Sequence, residues 1–263
     1  MKTILGLISL ALTIQIAPAV QFVNGGFEDP QTFFKILYTG ETIPGWRVVG
    51  GSVEVLGFGL WQPSEGNMSM DTVGVNVRGA IAQDITFDGA GDYHVDFSLS
   101  RNPNINYSVA RLGVWYKPPS ATDYLGLGLF EYGKVNSEAN MMWRSTGTGT
   151  FAAEAGVTTF IFASLTGGGS TTDTWGGPAL DDIRLIAGGS PYTPVAPPNF
   201  ATPEALLGHY GVYDNVPPGG GGIPPGGGGA TVPDGGTTVA LLVIGLVGIG
   251  SLRRWRANGA FVE

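Results

Sequence analysis

The side chains able to do chemistry in this chain are few in kind. Its 263 residues include 21 Asp and Glu, 2 His and no Cys, which rules out thiol nucleophiles and disulfide staples alike. The best ligand constellation pairs Glu28 with Asp181 and Asp182, because hard cations such as Ca²⁺ take carboxylate and carbonyl oxygens. The competing reading is that these acids cap turns or accept from backbone amides. Strand alternation puts adjacent residues on opposite faces, so Asp181 and Asp182 should not both chelate one ion, and Asp182 is the better candidate. Sugar binding would use exposed flat rings beside amides and acids. The candidate rings are Trp61, Trp115, Tyr116, Tyr124, Trp143 and Trp175, each with a core role as the alternative. Trp61 and Trp175 stand in Gly- and Pro-rich loop contexts, where a core role is less expected. Asn102 and Asn104 could be polar partners or turn formers. Hydrolysis finds little to work with. His209 falls in a Pro/Gly-rich region and His94 reads as a solvent-facing strand residue. The chain lacks Gly-x-Ser-x-Gly, His-Glu-x-x-His and a Gly-rich phosphate loop followed by Lys. Two suitably spaced carboxylates suffice for glycosidase chemistry, so a carbohydrate-active enzyme stays open as the least favoured class.

The elements that must position these residues are strands. Tyr93, Val95, Phe97 and Leu99 alternate with His94, Asp96 and Ser98, the pattern of a half-buried strand. Val157 to Ser164 has apolar residues on both faces, which suits a central strand covered on both sides. Further candidates run near Trp46 to Val49, Ser52 to Leu56, Met68 to Asp71, Arg78 to Phe87, Ser108 to Tyr116, Leu125 to Tyr132, Met141 to Ser145 and Leu180 to Ile186, punctuated by Gly, Asn, Asp and Pro. About nine or ten strands and no convincing helix predict an all-β sandwich of two antiparallel sheets.

The ends carry a different code. Met1 to Ala19 has Lys2, an apolar run from Ile4 to Ile16 and Ala17-Pro18-Ala19, the features of a signal peptide cut by signal peptidase. The folded domain is then expected over 20–187. A linker follows over 188–231, where Pro and Gly dominate and too little apolar surface exists to offset ordering entropy; within it, Glu204 to Tyr213 could form one or two helical turns. Next come Val232, Pro233, Asp234, Gly235 and Gly236, an uncharged run from Thr237 to Leu252, then Arg253, Arg254 and Arg256. A helix of about sixteen residues spans ~24 Å, somewhat under the ~30 Å of a hydrocarbon core. Its lack of charge and one-sided arginines nevertheless favour a transmembrane helix over 237–252 with Arg253–Arg256 inside and a cytoplasmic tail over 257–263. The net charge of -8 and the acidic pI of about 4.7 exclude a nucleic-acid partner, which would need a basic surface.

The order of motif, hydrophobic run and arginines over 232–256 resembles the PEP-CTERM class of sorting signals in its VPDSG-type variant, with Gly235 at the Ser position. That resemblance implies cleavage near Val232 to Gly236 by an exosortase-type protease, with the helix a transient or stable membrane anchor. A second set, Asn24-Gly25-Gly26-Phe27-Glu28, Gly45-Trp46, Glu65-Gly66-Asn67-Met68-Ser69-Met70-Asp71, Gly79-Ala80-Ile81-Ala82-Gln83 and Gly177 to Ile183, resembles the choice-of-anchor C family. That family is itself similar to a domain of unknown function from plant cell-wall proteins. The resemblance implies a galactose-binding-like jelly roll, in which a Glu of the first segment and an Asp of the last strand meet at a structural Ca²⁺. The expected protein is an exported, non-enzymatic cell-surface or matrix component that binds polysaccharide. The alternative is a structural envelope protein with no small ligand.

Overall fold

A computed structural model of the chain describes residues 20–75, 77–104, 109–166 and 176–209. The expected signal peptide, Trp175, residues 210–231 of the expected linker, the motif Val232 to Gly236, the helix over 237–252, the arginines and the tail lie outside these residues. Among the described residues no helix is long and apolar enough to cross a membrane.

The described residues form β1 (Phe34–Tyr38), β2 (Thr42–Ile43), β3 (Trp46–Gly50), β4 (Ser52–Gly57), β5 (Met68–Asp71), β6 (Ala80–Phe87) and β7 (Gly91–Arg101). There follow β8 (Ala110–Lys117), β9 (Leu125–Tyr132), β10 (Arg144–Gly147), β11 (Phe151–Ala153), β12 (Gly156–Ser164), β13 (Pro178–Ala187) and α1 (Pro203–His209). One sheet runs β1-β4-β5-β13-β7-β10, with β11 also on β7; the other runs β2-β3-β6-β12-β8-β9. All named pairs are antiparallel. The protein is a β-sandwich, as the alternation predicts.

Period two explains the core directly. Val53 and Val55, Met68 and Met70, and Val95, Phe97 and Leu99 project inward from the first sheet, and Ile81, Leu112, Val114, Phe160 and Phe162 from the second. Full burial of such side chains contributes roughly 1.5–3 kcal/mol each, which replaces disulfides as the source of stability. The N-terminal segment closes one seam. Phe22 packs against Trp46, Phe160 and Phe162, while Gln21 bonds both backbone groups of Leu185 and Gln83 both of Val23.

Three expectations change. β10 begins at Arg144, not Met141, because Met142 takes a left-handed φ of 49° that interrupts the pairing. His94 is 5 % exposed, with Nδ1 3.2 Å from the Gly188 carbonyl oxygen; it faces outward from the core but lies under the chain that follows β13. The region expected as the start of a linker is packed from 188 to 209. Val195 bridges Leu129 and Phe200 bridges Tyr124, and Thr202 caps α1 by accepting from the Ala205 amide at 3.1 Å, with Pro203 at the first helical position. Leu206 and Leu207 then bury themselves with Ala80, Ala82, Trp115, Ile161 and Ala163 on the outer face of the second sheet. This strap is the second cover that the two-faced pattern of β12 requires.

Candidate functional site

The site is built where the turns of residues 24–28, the 58–67 loop and β13 come together. Asn24 and Phe27 adopt left-handed φ values of 55° and 60°, and the Asn24 side chain accepts from the Asp29 amide at 3.0 Å. These turns bury Phe27 and aim Glu28 at the loop. Glu28 Oε1 accepts from the Asn67 and Met68 amides, each at 2.8 Å. Asp181 Oδ2 accepts from the Ser64 and Glu65 amides at 2.7 and 3.2 Å. Two carboxylates from opposite ends of the domain therefore peg one loop. Gly66, at φ 55°, leaves the space for it: a Cβ there would lie 2.2 Å from Glu28 Oε1.

A β-bulge changes what alternation says about β13. Asp181 lies opposite Ser98 while Arg184 lies opposite Asp96, so one extra residue is inserted, with Asp182 at φ 49°. The Asp182 amide donates to Asp181 Oδ1 at 2.7 Å, and Asp182 Oδ1 stands 3.2 Å from Arg184 Nε. The two acids are therefore not simply on opposite faces, and it is Asp181 that meets the loop. Burial pushes the Asp181 carboxyl up to about 8 despite its amide bonds. Burial, Asp182 and Glu28 raise Glu65, with Arg184 opposing. Burial also raises Asp182, again against Arg184. The donor chemistry suits a hard cation. The placement is not a ligand set as it stands: Glu28 and Asp181 are turned to amides, Asp182 to Arg184, and among the described residues no three acid or histidine side chains group so as to hold a metal ion.

The same loop forms one wall of a groove of about 390 Å³ lined by Gln31, Thr32, Phe33, Gly57, Phe58, Asn67 and Met68. Its walls are joined by backbone bonds from Gly57 to the Phe33 carbonyl at 3.0 Å and from Phe58 to the Asn67 carbonyl at 2.6 Å. Phe33 and Phe58 are 65 % and 71 % exposed. Two unshielded rings beside two amides and a hydroxyl match the chemistry of a sugar platform.

The aromatic candidates read from the sequence lie elsewhere. Trp115 is fully buried under the strap and donates to the Pro198 carbonyl. Trp61, despite its loop context, is 4 % exposed and donates to Ser69 Oγ. Trp143 is half-buried and donates to the Gln62 carbonyl. Tyr116 packs on Phe151 and Phe160, and Tyr124 is buried beneath the Lys117 ammonium. Asn102 donates to Asp71 Oδ2 at 2.7 Å and accepts from the Asn104 amide, a turn-forming role. Phe33 and Phe58 escaped sequence reasoning that weighed tryptophans first. Their signal is context: Phe58 sits between two glycines and Phe33 ahead of β1, where alternation offers no inward face.

Comparison with known proteins gives two family matches. Residues 20–186 match the family described as protein of unknown function (DUF642), and residues 231–256 match the VPDSG-CTERM motif. No curated protein matches the chain. Among solved structures it is similar to a family 35 carbohydrate binding module from Clostridium thermocellum, at 12 % identity over 65 % of this chain and 100 % of that one, TM-score 0.35. It is also similar to the CBM22-1 xylan-binding domain from Paenibacillus barcinonensis, at 13 % identity over 59 % and 94 %, TM-score 0.40. A third is the K1 cleaved adhesin domain of Lys-gingipain from Porphyromonas gingivalis, at 13 % identity over 59 % and 99 %, TM-score 0.38. Likeness at these scores assigns no ligand. The family match spans the sandwich from its first clamped residues to the end of β13, and on that ground the chain belongs to the DUF642 family.

Proposed function

We propose that this chain is an exported surface or matrix protein whose sandwich binds polysaccharide without transforming it. The observation that supports the binding role is the groove with Phe33 and Phe58 exposed beside Gln31, Thr32 and Asn67. The VPDSG-CTERM match over 231–256 supports the surface destination, and we assign Val232 to Gly236 as the cleavage segment for an exosortase-type protease, Thr237 to Leu252 as the anchor and Arg253, Arg254 and Arg256 as the retained cytoplasmic side. Within the DUF642 family we place the chain with the choice-of-anchor C group, on its Asn24 to Glu28 and Gly177 to Ile183 segments.

Titration of the full-length chain with a panel of soluble polysaccharides tests the binding role. Saturable binding that Phe33→Ala or Phe58→Ala weakens about tenfold or more is the expected result, and binding insensitive to both changes would refute the groove. A second reading, a structural protein with no small ligand, is supported by the burial of Trp61 and Trp115; it predicts no saturable binding from a protein that melts cooperatively.

Calcium belongs to this reading on donor chemistry and charge alone. Glu28, Asp181 and Asp182 would hold it only after turning oxygens now given to amides and to Arg184, and the ion would tie the 24–28 segment to β13. A melting temperature that rises by a few degrees with Ca²⁺ and falls back with chelator is expected; a melt indifferent to both would remove the ion from the account.

A further inference from the structure

We propose that the groove selects neutral polysaccharide and rejects chains carrying carboxylate or sulfate groups. This rests on the reading of the groove as a glycan site and goes one step beyond it, to the class of glycan.

Two independent features of the wall point the same way. First, among the described residues no charged side chain lines the groove: its lining is Gln31, Thr32, Phe33, Gly57, Phe58, Asn67 and Met68. Lys35, the nearest cation along the chain, is not among these residues. Second, four of the groove's backbone donors are already committed. The Gly57 amide donates to the Phe33 carbonyl and the Phe58 amide to the Asn67 carbonyl, while the Asn67 and Met68 amides donate to Glu28. Anion sites in proteins are assembled from free N–H groups or from Arg and Lys. Here the Asn67 and Met68 amides face a carboxylate instead, and the Gly57 and Phe58 amides face carbonyls.

That carboxylate also adds negative charge behind the wall. Glu28 stands directly behind Asn67 and Met68, and Glu65 follows Ser64 in the same loop, close enough to Glu28 and Asp182 for their charges to raise its proton affinity. Arg184 pairs with Asp182 and so compensates part of this charge from the β13 side. An approaching uronate or sulfate ester would meet the Glu28 carboxylate behind the wall and no free backbone donor among these four. A neutral pyranose needs neither. Its hydroxyls both donate and accept, as the amides of Gln31 and Asn67 do, and its ring C–H face can lie on Phe33 or Phe58.

The test is a comparison of uncharged glucans, mannans and xylans with polygalacturonate, alginate and chondroitin sulfate, using the full-length chain and its Phe33→Ala and Phe58→Ala variants at low and at physiological salt. Because Phe33 and Phe58 are exposed, both variants should keep the parent melting temperature. The expected outcome is binding of at least one uncharged chain, weakened about tenfold or more by Phe58→Ala, with no Phe58-dependent binding of the charged chains at low salt. Phe58-dependent binding of a charged chain as tight as any uncharged one would overturn the charge inference and leave the groove standing. Absence of Phe58- or Phe33-dependent binding to every chain would remove the groove reading itself.

Discussion

Glu54 and Asp71 stand directly opposite each other on β4 and β5, outside the groove and on the face of the sheet turned away from the core. Burial, and then Asp71, push Glu54 up to about 8. Burial pushes Asp71 up to about 7, against hydrogen bonds from Asn102 and the Val73 and Gly177 amides. Glu54→Gln removes one of two acids that cannot both ionise cheaply. It should stabilise the fold at pH 8 by about 1 kcal/mol, a figure held well below the full shift because the half-buried side chain is partly screened, and it should do little at pH 4; urea melts at the two values measure it. Gly51 is the opposite case, a position with no room for chemistry. Its φ is 61° and a Cβ would sit 1.8 Å from the Arg78 carbonyl oxygen. Gly51→Ala should cost about 3 kcal/mol or more, visible as a lowered denaturation midpoint. The family resemblance points to Glu28 meeting an Asp of the last strand, and alternation favours Asp182 there; the bulge makes it Asp181. What Glu28 and Asp181 do there, accepting from the amides of residues 64, 65, 67 and 68, depends on a loop brought in from another part of the fold.

At the scale of elements, the strap from 188 to 209 is the part that composition misjudged. It is rich in Pro and carries few apolar residues, which reads as a linker. Yet Phe200, Leu206 and Leu207 land on a sheet face made apolar by Trp115, Ile161 and small alanines. A Cβ on Gly50 would lie 2.3 Å from Leu207 Cδ1, so the helix sits as close as the strand backbone allows. A chain ending at 187 should expose this face, melt lower and bind a hydrophobic dye, whereas a chain ending at 209 should do neither; dye fluorescence and scanning calorimetry distinguish them. Leu207→Ala alone should cost roughly 2–4 kcal/mol. The β13 bulge makes a second element-scale prediction. Asp181→Ala leaves the Ser64 and Glu65 amides without an acceptor and should destabilise by about 2 kcal/mol, while Asp181→Asn, which keeps an oxygen there and carries no charge, should be markedly milder by chemical denaturation.

Across the whole molecule, stability should depend on pH in one direction. In the window from about 4 to 8 the folded chain keeps protons on Glu54 and Asp71 that the unfolded chain has released. The native state then binds more protons and stability falls as pH rises through that window, levelling off above it. The net charge of -8 at pH 7 adds self-repulsion of the same sign. The melting temperature should therefore be higher at pH 5.5 than at pH 8, and a profile rising toward pH 8 would contradict the assignment of both acids. By itself the sequence determined the sandwich, since period-two alternation maps each strand residue to a face regardless of what lies opposite. It determined the placement of Val95, Phe97 and Leu99 in the core for the same reason, and through its ordered motifs the likeness to the domain of unknown function and the VPDSG-CTERM motif. The tertiary structure alone decided that Trp61 and Trp115 are buried, that a Pro-rich strap covers one sheet, that a bulge turns Asp181 onto a loop, and that Phe33 and Phe58 share a groove. Each depends on contacts between segments distant in the chain, and the exposure of a loop ring is set by what folds over it, which local pattern does not encode.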